Sequence, residues 1–169
     1  LKERDIAQAT HTTRLVLNMM DAYRQEVESN SERMMGTFVR LNPGVWSVDE
    51  QQETALGGQN LPALMLDGKA VNGQFEMPDR FTSLTGAVAT LFVRKGDDFY
   101  RVSSSIKNPD GSRPLGTALG SQSAAYPFVM KGQSFTGRAS VLGRDYMATY
   151  KPITDDKGKL VGLWFVGVD

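Results

Sequence analysis

Arginines and tyrosines stand inside stretches that otherwise read as strands, and these are the residues with chemistry to offer. Arg101 lies between Tyr100 and Val102, and Arg138 lies in Thr136-Gly137-Arg138-Ala139. Tyr146 and Tyr150 fall in one extended run at a spacing that puts them on the same face. A charge within a strand is costly to bury unless it is paired or meets an anion. An arginine fork beside tyrosine hydroxyls is a receptor for a carboxylate. The residues alone leave a second reading open, in which Arg101 and Arg138 face solvent or pair with Asp145 or Asp79. Tyr126 is expected to reach the same wall from a short helix. Arg113, just ahead of Pro114, is a lesser candidate, and a salt bridge would account for it equally well.

Catalytic patterns are nearly absent. There is no Gly-x-Ser-x-Gly, no P-loop and no Gly-x-Gly-x-x-Gly. Ser104-Ser105-Ile106-Lys107 matches Ser-x-x-Lys, but at a strand end before a turn and without companion motifs. The acidic pairs Asp97-Asp98 and Asp155-Asp156 adjoin glycines in predicted hairpin turns, where solvated turn residues fit better than a calcium site. Cysteine is missing and His11 is the single histidine. Disulfides, thiolate metal sites and multi-histidine sites are thereby excluded. The expectation is a protein that is not an enzyme and needs no cofactor or metal.

The chain has 169 residues, the size of one domain, with 40% hydrophobic residues. Its 19 basic and 19 acidic residues balance to a formal charge of zero. That argues against nucleic acid or an anionic membrane surface as the main partner. No stretch approaches the ~20 apolar residues of a membrane span. The chain begins at Leu1, and Gly162–Asp169 reads as a strand cut off abruptly, so a fragment of a longer protein is expected.

The elements that must position these residues follow from periodicity. Ile6, Ala9, Thr13, Val16, Met20, Tyr23, Val27, Asn30 and Met34 recur at spacings of three and four, which predicts a helix over residues 1–34 with this seam against the body of the domain. A second stripe, Leu15, Met19 and Ala22, is free to meet a second chain. Thr37–Leu41 reads as a short strand before the turn signal Asn42-Pro43-Gly44. Leu64–Leu66 and Lys69–Val71 flank a tight Asp67-Gly68 turn, and Pro78–Leu84 reads as a short helix ended by Gly86. Strands are predicted at 87–93, 99–105, 135–142, 146–153 and 160–168, with a short helix around 123–131. Consecutive hairpins would make an antiparallel sheet with the long helix on one face.

Several phrases taken together resemble one family. They are Gly86–Arg94, Asp97–Ser105, Asp110–Thr117, Ala124-Ala125-Tyr126, Phe135–Ala139, Gly143–Met147, and Pro152-Ile153 with Gly158–Gly162. In this order, behind a long helix, they resemble the single-Cache, PAS-like extracytoplasmic sensor domains of bacterial methyl-accepting chemotaxis proteins and related transducers. The match covers about residues 60–169, and residues 35–60 carry no matching phrase. The resemblance implies an α+β fold: a long N-terminal helix packed on a five- or six-stranded antiparallel sheet, with a ligand pocket on the opposite face. Residues 1–169 would form one domain, 1–34 the helix and 35–169 the sheet and pocket-forming loops.

The resemblance also implies a role. The chain would be the periplasmic part of a cytoplasmic-membrane chemoreceptor. It would bind a small molecule and pass a signal across the membrane through spans outside this fragment. Related citrate- and dicarboxylate-sensing kinases use basic residues on early and late strands. Arg101 falls where such an early-strand arginine lies, and Ser104 lies near its polar neighbour. The comparable late-strand positions are Ala148 and Tyr150, which are not basic. A dicarboxylate would be under-neutralised, so a small monocarboxylate, or a neutral polar ligand, suits the site better. The expected ligand contacts are Arg101, Ser103, Ser104, Tyr126, Arg138, Tyr146 and Tyr150. A homodimer is expected in the parent receptor. The same module on a histidine kinase or a cyclic-dinucleotide enzyme, or a periplasmic carrier or enzyme, is the alternative.

Overall fold

The computed structural model describes residues 2–169. One long helix, α1 (Glu3–Leu41), is followed by β1 (Trp46–Leu56), β2 (Gln59–Leu66), β3 (Lys69–Ala70) and α2 (Glu76–Thr85). Then come β4 (Val88–Lys95), β5 (Asp98–Ser104), α3 (Tyr126–Val129), β6 (Phe135–Val141), β7 (Arg144–Thr154) and β8 (Leu160–Val168). The five-stranded antiparallel sheet has the order β5-β4-β8-β7-β6, and β1-β2-β3 form a small separate sheet. The α+β architecture is as expected, although the strands are not a simple run of hairpins: β8 inserts between β4 and β7. Its apolar run Leu160–Val166 fits that central place, because Val161–Gly167 are all buried.

The helix corrects two expectations. It runs through Gly36 to Leu41, so Thr37–Leu41 is helical and not a strand. Phe38 decides this by packing, with its ring 5.0 Å from Phe81 and 5.1 Å from Trp164. Asn42 then closes the helix, donating from Nδ2 to the Phe38 carbonyl at 2.9 Å, and Pro43 prevents its continuation. The predicted seam is also not buried on the sheet. Only Ser31, Met35 and Phe38 of α1 are buried, whereas residues 3–26 are exposed. The sheet covers only the C-terminal part of a helix about 58 Å long. The turn at Asp67-Gly68, the helix α2 and its Gly86 cap, with φ 79°, match the predicted elements.

The sheet separates two cores. On the α1 face, Phe38, Phe81, Leu91 and Trp164 pack with Trp46, Leu61 and Leu64 of the small sheet. On the other face lie Phe92, Phe99, Val129, Tyr150, Leu163 and Phe165, covered by the segment between β5 and β6.

Candidate functional site

β5 carries a bulge that decides which of its residues reach this second face. Leu91 of β4 pairs with Ser103, but Phe92 pairs with Arg101, so Val102 is an extra residue. Arg101 therefore shares the face of Phe92. Val102 and Ser103 both turn to the α1 side, where Val102 joins the core and the Ser103 hydroxyl donates to the Gln74 carbonyl. Ser104 returns to the second face, fully buried, with its hydroxyl 2.9 Å from that of Thr90.

A cavity of about 370 Å³ opens on this face, lined among others by Arg101, Leu119, Ser123, Phe135, Ala139 and Tyr150. The Arg101 guanidinium lies over the Phe92 ring, 4.9 Å from its centroid. Its Nη1 donates to Thr117 Oγ1 at 3.0 Å and to the Ala118 carbonyl at 3.2 Å. Among the described residues it makes no ion pair. Burial pulls its pKa down, and the neighbouring Tyr150 and Asp98 only partly oppose that. Burial likewise pushes the Tyr150 phenol up, with Arg101 acting the other way. The Tyr150 ring is fixed by Phe165 at 5.0 Å and Phe92 at 6.4 Å. A half-buried cation beside a neutral phenol, with no carboxylate in the cavity lining and no ion pair to Asp98, favours an anion that enters.

The other expected contacts are scattered. Tyr146 is on the same face as Tyr150 and is buried, but it lies outside the lining of this cavity. The Tyr126 hydroxyl donates to the Asp97 carbonyl, away from the cavity. Ser103 stands on the opposite face, and Ser104 is spent on internal contacts. Arg138 is exposed on the edge strand β6 and borders the cavity mouth. Arg113 is structural. It makes a two-pronged pair with Asp79 at 2.7 and 3.0 Å, donates to the Ser104 carbonyl at 2.8 Å, and stacks 4.0 Å over the Phe75 ring. Of the seven residues, the structure thus brings Arg101 and Tyr150 together on the cavity wall, with Arg138 at its rim. Leu119, Phe135 and the Thr117–Ala118 clamp were not foreseen. Phe135 was legible as a strand residue of the right face, but nothing in the loop 105–125 marks which residues turn inward.

A larger groove of about 890 Å³ runs between α1 and the end of the sheet, lined by Leu17, Met20, Tyr23, Val27, Arg138 and Met147 among others. Its wall is a helix segment otherwise in solvent, and it lacks the buried cation of the smaller cavity. Among the described residues there is no cluster of three His, Asp or Glu side chains able to hold a metal ion. None of their helices is long and apolar enough to cross a membrane. The sequence model of the Cache 3/Cache 2 fusion domain matches residues 3–169. No curated protein matches the chain.

Proposed function

Because the chain belongs to the Cache 3/Cache 2 fusion domain family, a family of extracytoplasmic small-molecule sensors, we propose that its cavity binds a small carboxylate and that the domain reports this binding for a transmembrane chemoreceptor. The supporting observation is Arg101, a half-buried guanidinium on the cavity wall with no ion-pair partner among the described residues. A ligand carboxylate completes it, through a charge-assisted pair. No Asp or Glu lines the cavity, and the neighbouring Asp98 carboxylate already accepts from the Phe99 and Gly120 backbone amides, so an α-ammonium group would find no free counter-charge there. The ligand is accordingly a carboxylate without an amino group, its apolar part resting against Phe135, Leu119 and the Tyr150 ring.

The rest of the reading follows from this role. The domain acts by binding and not by catalysis. It sits on the periplasmic side of the cytoplasmic membrane. Two copies lie side by side along α1, whose apolar residues are left in solvent by the single chain. Titration calorimetry with acetate, propionate and pyruvate, and with propionamide as the uncharged control, tests the ligand class. At least one of the acids should bind, the amide about tenfold or more weaker, and Arg101→Ala should lose about tenfold or more. An amide that binds as well as its acid, or an unaffected Arg101→Ala variant, refutes the proposal.

A further inference from the structure

Arg101 is clamped from one side only. Its Nη1 donors are both used, by Thr117 Oγ1 and the Ala118 carbonyl, whereas Nε and Nη2 have no hydrogen-bond partner among the described residues. A guanidinium offers two two-pronged edges, and the clamp leaves the Nε–Nη2 edge for a carboxylate. The Thr117 hydroxyl is itself oriented: its proton goes to the Pro114 carbonyl at 2.6 Å, so it presents lone pairs to the cation.

The segment holding Thr117 is fastened to β5 as an irregular extra strand. Gly116 N donates to the Arg101 carbonyl at 2.7 Å, Arg101 N to the Thr117 carbonyl at 3.0 Å, and Leu119 N to the Phe99 carbonyl at 2.8 Å. Its outer side meets the β1–β2 turn. Gly116, with φ 81°, and Gly57, with φ 54°, pack backbone against backbone. A Cβ on Gly57 would run into the Leu115 carbonyl, and one on Gly116 into the Leu56 carbonyl. Gly58, the next residue of that turn, has open space around it. The small sheet thus reaches the ligand cavity's cation through two interlocked glycines and one threonine.

We propose that Thr117 is a positioning residue that holds the Arg101 guanidinium with its Nε–Nη2 edge free for the ligand, and that the Gly57–Gly116 contact seats Thr117. This rests on the reading of Arg101 as the ligand's anchor, but the clamp itself can be tested without any ligand. Arginine-selective ¹⁵N NMR, with the Arg101 signals assigned by their loss in Arg101→Lys, reads rotation of the guanidinium. The native protein should show separate, slowly exchanging Nη signals for Arg101. Thr117→Val and Gly57→Ala should average them, Thr117→Ser should restore them, and Gly58→Asn should leave them unchanged. If Thr117→Val fails to give a dispersed amide spectrum, Thr117→Ala carries the same comparison. Arg101 signals in the Thr117 variant identical to native overturn the proposal. Propionate titration adds the functional half: affinity about tenfold lower in Thr117→Val and regained in Thr117→Ser. Unchanged affinity in the valine variant of a protein that binds propionate overturns the clamp's part in binding. Absence of binding by every acid, with the NMR pattern as expected, removes the proposed ligand class and leaves the clamp standing.

Discussion

Ser31 of α1 and Thr149 of β7 meet hydroxyl to hydroxyl at 2.8 Å, and both are buried. Thr149 continues the chain of hydroxyls to Thr136 of β6 at 3.0 Å. The next residue after Thr149 is Tyr150, which faces the cavity on the other side of the sheet. A displacement of β7 by a ligand resting on Tyr150 therefore moves the attachment point of the helix. A ligand that favours one position of β7 over another shifts that equilibrium, which is the minimum a sensor needs.

The Ser31–Thr149 contact is measurable in a double-mutant cycle. Ser31→Ala should cost about 1 kcal/mol, since it removes a buried hydroxyl contact and leaves Thr149 with Thr136 alone. Thr149→Val should cost at least as much, because Thr149 also serves Thr136. The double variant should lose about 1 kcal/mol less than the sum, because the one Ser31–Thr149 contact is counted in both single variants and lost only once in the double. Urea unfolding of the four proteins gives these values. Strictly additive losses would mean that the two hydroxyls do not interact.

The β6–β7 turn carries a strained residue. Leu142 has φ 53° and Gly143 φ 76°, and Val141 pairs directly with Arg144, so this is a two-residue turn with both central residues at positive φ. Leucine is a poor occupant of that conformation, and here it is 46% exposed, so it contributes little core burial. Leu142→Asn creates the favoured Asn-Gly pair and should stabilise the domain by about 0.5–1 kcal/mol. The thermal midpoint should rise by a few degrees. A lower midpoint would show that the Leu142 side chain supports the fold through contacts that outweigh its backbone strain.

Several elements were legible because their signal is local. Asp67-Gly68, Gly86 after α2 and the β7–β8 turn declare themselves by turn chemistry, and the apolar run of β8 declares a buried strand; the β6–β7 turn falls on Leu142-Gly143, one residue earlier and tighter than the break expected at residues 143–145. What escaped was set by contacts distant in sequence. The β-branched and aromatic run Thr37–Leu41 looks like a strand until Phe38 is placed against Phe81 and Trp164. The helical seam repeats with the right period, but period does not say what the seam meets. In α1 most of it meets nothing within the chain. The site shows the same division. Strand alternation located Arg101 and Tyr150, whereas one inserted residue at Val102 turned Ser103 to the wrong face. No residue type marks that insertion. The small residues of β8 are close-packed in the same way: a Cβ on Gly162 would meet the Phe92 carbonyl, and Gly167 is covered by the Tyr146 and Phe165 rings.

Tyr150 gives the domain an alkaline limit. It is 3% exposed, and burial holds its phenol above the ordinary value of 10.0. Below about pH 10 it is neutral in both folded and unfolded chains and adds no pH dependence. Above that pH the unfolded chain ionises first. Stability is therefore lost as pH rises through the folded pKa, by about 1.4 kcal/mol per pH unit for one such group. Tyr150→Phe removes this contribution. Unfolding midpoints between about pH 9 and pH 11 should fall less steeply in the variant than in the native protein. Equal slopes would mean that Tyr150 ionises as freely in the folded domain as in the unfolded chain.

The free part of α1 makes a geometric prediction about two copies. Leu15 and Met19 are 49% and 71% exposed, and with Ala22 they form one stripe. At about 100° per residue this stripe lies on the side of the helix turned away from Ser31, Met35 and Phe38, which hold the helix to its own domain. Leu15, Met19 and Ala22 follow the spacing of a two-helix seam, and fully burying a Leu or Met side chain such as Leu15 or Met19 is worth up to roughly 1.5–3 kcal/mol. In the parallel pair proposed for the parent receptor, each of these residues faces its own counterpart. Single cysteines at Leu15, Met19 and Ala22 of the membrane-bound full-length protein should therefore form disulfide-linked dimers under mild oxidation. The described domain contributes no cysteine of its own to the background. Thr13, five helical turns before Ser31 and on the same side, is the control that should crosslink poorly. Crosslinking at Thr13 but not at the stripe would place the second copy in the groove between α1 and the sheet instead. Crosslinking at none of the four positions would mean that α1 does not pair with a second α1.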